Sequence, residues 1–304
     1  MQGLIKFWHK HKKQRTGFAK GLCVLFCREG RAYYPQGAAQ TAGPKRMEAA
    51  EMEHKTLATP GGTVHYWLDR AGPGAPCLVF THGLTSDHRM LAPLAARFRG
   101  RATLLLWDVP LHGRSRPYTG FSFCAAADAL EAILRREQLP AVVLIGISMG
   151  GYLGQQFAAR YPGRVRALAA LSTVPMGQAF DSWPARWVIE RLPALAGALP
   201  AGLLRWWIAR SSSATRPACE AMRAMTAPRP KAELVEQIRA VYGAFLRENQ
   251  PAALHCPVLI LAGERDWAGR VKHYNRAWAR RTGYPLHWIR GAGHYVSADN
   301  PAQV

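Results

Sequence analysis

Ser148 stands between two glycines in Gly146-Ile147-Ser148-Met149-Gly150, where the apolar run "VVLIGIS" gives way to helical spacing in "YLGQQFAARY". A serine hydroxyl is a poor nucleophile until a base takes its proton, and the base needs an acid to orient it. The G-x-S-x-G spacing, with a strand before it and a helix after it, predicts a sharp turn that lifts the hydroxyl clear of its surroundings. The glycines leave room where Cβ atoms would collide. The new helix aims its N-terminus at the same place, which favours developing negative charge. Two late residues complete the set: Asp266, at the end of "PVLILAGERD", and His294, in the glycine-flanked "RGAGHYV". All three fall at carboxyl ends of strands, in the chain order serine, aspartate, histidine. Glu264 is the rival acid. Among the other histidines, His9 and His11 lie in a basic arm, His255 precedes a strand and His273 lies in a helix.

Acyl transfer also needs donors for an oxyanion. The backbone N–H of Met149 is one, and the second is expected after "CLVFTHG", from Leu84 with Gly83 as the alternative. His82 then supports that loop instead of acting as a base. "WDVPLHGRSRP" gathers Asp108, His112 and Arg114 in one short loop. Two potential ligands do not make a metal set, so no metal is expected, and this is read as a hydrogen-bonded loop near the pocket rim.

The elements that must position these groups are short, nearly continuous apolar runs at 77–83, 102–108, 141–148, 165–173, 257–266 and 286–289. Runs apolar on both faces suit central strands of a parallel sheet. "TVHYWLD" (63–69) alternates, follows the turn "TPGG", and reads as part of an antiparallel start. Helical spacing occupies 90–98, 125–138 and 152–161. The pattern predicts an α/β fold with a mostly parallel, doubly wound sheet. About 174–255 there is no strand signal, and stretches such as "KAELVEQIRAVYGAFLREN" (231–249) predict a helical cap insertion lying over the sheet. Its tryptophans, Trp183, Trp187, Trp206 and Trp207, are expected to fill that cap's core or line an apolar pocket.

The formal charge of +21 is unevenly spread: residues 1–46 hold ten Lys or Arg against Glu29. This arm is expected to be disordered or not native, with Met47 or Met52 as the true start, and 47–304 to form the catalytic domain. No zinc-finger or aromatic RNP pattern accompanies the charge, so no nucleic-acid partner is expected. No apolar stretch reaches the ~20 residues that span a bilayer. The six cysteines lack the spacing of a disulfide framework. Cytoplasm is the expected compartment, with Cys77 and Cys256 as buried thiols. Oligomeric state is not legible.

"HGLTSD", "DVPLHGRS", "GISMGG", "LAGERD" and "GAGH" occur in the order found in the α/β-hydrolase superfamily, which the chain resembles over roughly residues 55–300. The resemblance implies a serine hydrolase, an esterase or lipase-like acyl hydrolase, that needs no cofactor. Serine at 148 departs from dehalogenases and epoxide hydrolases, which use an aspartate nucleophile. Relatives continue beyond the histidine loop into a final helix, whereas this chain ends ten residues after His294; in a fragment, apolar surface would be left uncovered. The expected reaction is hydrolysis of a small apolar acyl ester through an acyl-serine, with catalytic triad Ser148, Asp266 and His294 and an oxyanion hole of Leu84 and Met149. Acyl transfer and carbon–carbon bond hydrolysis use the same residues and stay open. A non-catalytic anchoring protein that works through the basic arm is the reading from another class.

Overall fold

The computed structural model describes residues 52–177 and 183–304. The basic arm, with Met47, lies outside the described residues. Strands β1 (Glu53–Thr59) and β2 (Gly62–Asp69) form a hairpin, followed by β3 (Cys77–Thr81), β4 (Thr103–Trp107), β5 (Val142–Ile147), β6 (Val165–Leu171), β7 (Val258–Gly263) and β8 (Leu286–Ile289). They make one eight-stranded sheet in the order β1-β2-β4-β3-β5-β6-β7-β8. β1 and β2 pair antiparallel, as do β2 and β4, and every later pairing is parallel.

The reason lies in the strand sequences. β3, β4 and β5 are buried along their whole length, and successive side chains point to opposite faces. Cys77, Val79, Leu105, Trp107, Val142 and Leu144 therefore enter one apolar layer. Leu78, Phe80, Leu104, Leu106, Val143 and Ile145 enter the other. Such strands need cover on both sides. One layer is closed by α2 (Phe123–Arg136) and α3 (Met149–Arg160). α2 starts where Ser122 Oγ accepts the Ala125 N–H at 2.9 Å, and buries Phe123, Ala126, Ala127, Leu130, Ile133 and Leu134 at helical spacing.

The expected helix over 90–98 is instead a series of short turns. Only α1 (Ala92–Ala95) is α-helical, flanked by 3₁₀ turns at His88–Met90 and Ala96–Phe98. Pro93 can start a helix but cannot donate within one, and Gly100 turns the chain with φ 71°.

Between β6 and β7 the described chain is helical: α4 (Trp183–Ala198), α5 (Ala201–Ser212), α6 (Arg216–Thr226) and α7 (Lys231–Glu248). α4 packs on α7, and α5 on α6. Leu204, Ile208, Met222, Leu234 and Ile238 from these helices join the second apolar layer. Trp187, Trp206 and Trp207 are exposed, so they do not fill the cap's core as expected, and the side chain of Trp183 lies outside the described residues. α8 (Val271–Thr282) connects β7 to β8, and the one-turn α9 (Val296–Asp299) follows the His294 loop.

Candidate active site

Ser148 occupies the turn between β5 and α3 with φ 53° and ψ −117°. A residue with a Cβ is strained there by about 1–3 kcal/mol, so the surroundings must hold it. A Cβ on Gly146 would run into the backbone of Gly150, and one on Gly150 into the carbonyl of Thr81 at the end of β3. This close crossing of β5, α3 and β3 fixes the turn. Ser148 N–H donates to Leu171 O at 2.8 Å, and its carbonyl accepts from Thr173 Oγ1 at 2.7 Å and from Gly151 N and Tyr152 N. The Met149 amide opens α3, and the first amides of a helix have no acceptor within it.

The loop after β3 lies directly against this turn. A Cβ on Gly83 would stand 3.6 Å from Ser148 Cβ. His82 is fully buried and holds the loop at both nitrogens. The Val109 N–H donates to Nε2 at 3.0 Å, so Nδ1 carries the proton and donates to Gly83 O at 2.8 Å. Burial lowers the His82 pKa, partly offset by Asp108 and the Gly83 carbonyl. Ser86 Oγ donates to the same carbonyl at 2.6 Å. The Gly83–Leu84 peptide is trans and planar, so the Leu84 N–H points away from His82 and Ser86. Gly83 N–H is already engaged with Met90 Sδ at 3.3 Å. This favours Leu84 over Gly83 as a free donor.

Asp266 and His294 meet at the far strands. His294 Nδ1 donates to Asp266 Oδ2 at 2.9 Å, which leaves Nε2 with its lone pair. The aspartate side chain is fully buried and the imidazole 12% exposed. Asp266 Oδ1 accepts the Ala268 N–H at 2.9 Å, so both carboxylate oxygens are occupied. Backbone contact brings the pair together: a Cβ on Gly263 would collide with the carbonyls of Ala292 and Gly293, and Arg265 N–H donates to Ala292 O at 2.8 Å. Glu264 points elsewhere, accepting the Gly291 N–H at 3.2 Å.

The 107–117 loop is braced by hydrogen bonds, although the buried His112 Nε2 has no hydrogen-bond partner among the described residues. Asp108 Oδ1 accepts from His88 N and His88 Nδ1, each at 2.8 Å, and Oδ2 from Arg114 N at 2.6 Å. His112 Nδ1 donates to Pro110 O at 3.1 Å. Burial, then the neighbouring His82, takes the His112 pKa well below its ordinary value. Asp87, His88 and Asp108 bring ligand-type atoms within 4.8 Å of one another. Those atoms are committed: Asp87 to Arg89 and Arg229, and His88 to Asp108.

Sequence reasoning missed the ties between the site and the helical insertion. Asp87, in the loop after β3, meets Arg229, between α6 and α7, at 2.6 Å with both side chains buried. Asp299, in α9, accepts Thr215 N at 2.7 Å, Thr215 Oγ1 at 2.8 Å, Ala214 N at 3.0 Å and Gly293 N at 2.8 Å. One carboxylate thus joins the residue before His294 to the start of α6. Tyr295, on the other side of His294, adds its N–H to Ser212 O and its hydroxyl to Met90 O, both at 2.7 Å. No short-range spacing marks these ties, because Arg229 lies 142 positions from Asp87 and Thr215 lies 84 from Asp299.

A sequence model described as alpha/beta hydrolase fold matches residues 76–301. The chain belongs to the α/β-hydrolase fold family. This α/β-hydrolase is 27% identical over 241 residues to a 2-(acetamidomethylene)succinate hydrolase of Mesorhizobium japonicum, covering 74% of this chain and 84% of the relative. It is 30% identical over 215 residues to a pimeloyl-[acyl-carrier protein] methyl ester esterase of Chromobacterium violaceum, covering 69% and 76% respectively. Among solved structures, a thermophilic esterase from Thermogutta terrifontis superposes with a TM-score of 0.67 at 23% identity, over 83% of this chain and 94% of that one. Family membership and these relatives make the chain an enzyme of the hydrolase class, and the described residues contain no helix long and apolar enough to cross a membrane.

Proposed function

We propose that this hydrolase cleaves a small carboxylic ester with an apolar acyl group through an acyl-serine intermediate. His294 Nε2 takes the proton of Ser148 Oγ as the oxygen attacks the ester carbonyl. The tetrahedral oxyanion is stabilised by the N–H groups of Met149 and Leu84. His294 then protonates the leaving alcohol as the C–O bond breaks, and Asp266 stabilises the imidazolium. Water, deprotonated by His294, attacks the acyl-serine and releases the acid, restoring Ser148. No cofactor enters these steps. The observation that carries the reading is the His294 Nδ1–Asp266 Oδ2 hydrogen bond of 2.9 Å, which leaves Nε2 as a base at the strand ends that also carry Ser148. The methyl ester esterase relative, at 30% identity, supports an ester substrate.

The test is turnover of p-nitrophenyl esters of increasing chain length by wild type and Ser148→Ala, with product analysis in the presence of a competing alcohol. Free acid as the main product is the expected result. An alkyl ester of the added alcohol as the main product would make the enzyme a transferase. Absence of ester turnover, together with cleavage of a β-diketone, would replace the ester by a carbon–carbon bond. We further infer a reducing, cytoplasmic compartment, because Cys77, Cys124, Cys219 and Cys256 are all free thiols. Burial pushes the Cys77 thiol up to about 12 and Cys256 up to about 11.

A further inference from the structure

The helical insertion carries apolar residues on both sides of its helices. On α5 one face buries Leu204, Ile208 and Ala209. The other presents Leu203, Trp206, Trp207 and Arg210, a spacing that aligns them along one stripe. On α4, Trp187, Val188, Arg191 and Leu195 lie outward in the same way. The six apolar side chains of these stripes are each between 42% and 59% exposed. Single exposed apolar residues need no explanation, but a run of six with three indoles does.

Charge identifies what covers them. Two exposed arginines, Arg191 and Arg210, stand in these stripes, whereas Arg229 is buried against Asp87 and Arg205 is turned to the Thr226 and Arg229 carbonyls. Arg191 places its guanidinium 4.0 Å from the Trp187 ring centroid, and Arg210 continues the α5 stripe. A cation thus sits beside an indole on α4 and in line with two indoles on α5, a pattern suited to a boundary between apolar chains and anionic headgroups. A second copy of the chain would bring arginines against arginines in a molecule of formal charge +21, which opposes self-association through this face. We propose that the outer faces of α4 and α5 dock on an anionic phospholipid surface, burying the three indoles at the headgroup boundary while the arginines meet lipid phosphates. The catalytic reading is not needed for this, and the described residues contain no helix long and apolar enough to cross the membrane.

The test is flotation of the full chain with vesicles of phosphatidylcholine, with and without phosphatidylglycerol. Trp206→Ala/Trp207→Ala, Arg191→Glu/Arg210→Glu and an arm variant, Lys10→Glu/Lys12→Glu/Lys13→Glu, are compared with wild type. Wild type is expected to float only with the anionic vesicles, less so at high salt. The double tryptophan variant is expected to lose binding by roughly tenfold or more, and the arginine variant to lose the salt dependence. The arm variant should keep the tryptophan-dependent part of the binding. Thermal melts verify that all variants are folded, and the arginine variant tests the surface with both indoles in place. Failure of wild type to bind, or equal binding by the tryptophan variant, would overturn the proposal. So would a wild-type dimer that the tryptophan variant dissolves, since a second copy would then own this face.

Discussion

The strand ends around Ser148 and the helical insertion between β6 and β7 are held by different physics. At the strand ends, backbone packs on backbone. Gly146, Gly150 and Gly263 each lie where a Cβ would strike a neighbouring main chain, and the strands behind them are buried along their length. The insertion rests on side chains: buried apolar stripes on α5, α6 and α7, the Asp87–Arg229 pair, the Asp299 carboxylate, and Gln237 Nε2 donating to Leu111 O at 2.9 Å. Backbone crossings leave the turn at Ser148 no room to shift, which holds its strained φ of 53° in place. Side-chain ties depend on a few partners, so single substitutions can loosen them without touching the strand ends.

The largest expected effect tests the rigid half. Ser148→Ala should lower ester turnover by roughly 10⁴–10⁶-fold without loss of stability. Ser148→Gly should abolish turnover equally while raising the melting temperature, because glycine accepts φ 53° without strain. Asp266→Asn comes next, with kcat lowered roughly 10⁴-fold through the wrong imidazole tautomer. Glu264→Gln should leave kcat unchanged, since that carboxylate holds Gly291 N–H and not His294.

Asp299→Ala probes the joint between the halves. It leaves the Gly293 and Thr215 donors without their acceptor, and should cost about 2–3 kcal/mol in urea unfolding. A displaced His294 should also lower kcat by roughly 10–100-fold with little change in KM, and Asp299→Asn should recover part of both. If kcat stays at the wild-type value while stability falls, Asp299 is structural alone.

Asp87 gives the insertion tie a pH signature. Burial pushes its pKa up, but the Arg89 hydrogen bond and the charges of Arg89 and Arg229 outweigh this and hold it well below the ordinary value of 3.8. A depressed carboxylate stabilises the fold fully above its unfolded pKa and loses that contribution as pH falls through the folded value. Wild type should therefore lose more stability than Asp87→Asn as pH is lowered below about 4, read by urea unfolding. The smallest effect is expected at Trp206→Ala, within about 0.5 kcal/mol, against roughly 3–5 kcal/mol for Phe157→Ala under the sheet. A large loss at Trp206 would erase the contrast between the two regions.

The same contrast explains what the sequence disclosed. Continuous apolar strands are written locally, so the strand runs were located to within a few residues, and Gly-Ile-Ser-Met-Gly marked the strand-to-helix turn. Asp266 reaches His294 and Glu264 holds Gly291 N–H instead. Asp299 and Arg229 were invisible, because their meaning depends on partners brought close only by folding. The tryptophans misled for a related reason: helical spacing shows that residues share a face, not whether that face turns inward. Trp206 and Trp207 flank the buried stripe of Leu204 and Ile208 and point outward. Helical spacing over 90–98 overstates the helix there, which runs only from Ala92 to Ala95.

The central claim is that Ser148 is an activated nucleophile. It is tested most directly by fluorophosphonate labelling of folded wild type and Ser148→Ala, with the adduct located by peptide mass spectrometry. The account predicts one adduct, on the peptide containing Ser148, absent from the variant and weakened in Asp266→Asn. Folded wild type that stays unlabelled and fails to turn over small activated esters, or an adduct that persists in Ser148→Ala, would contradict it.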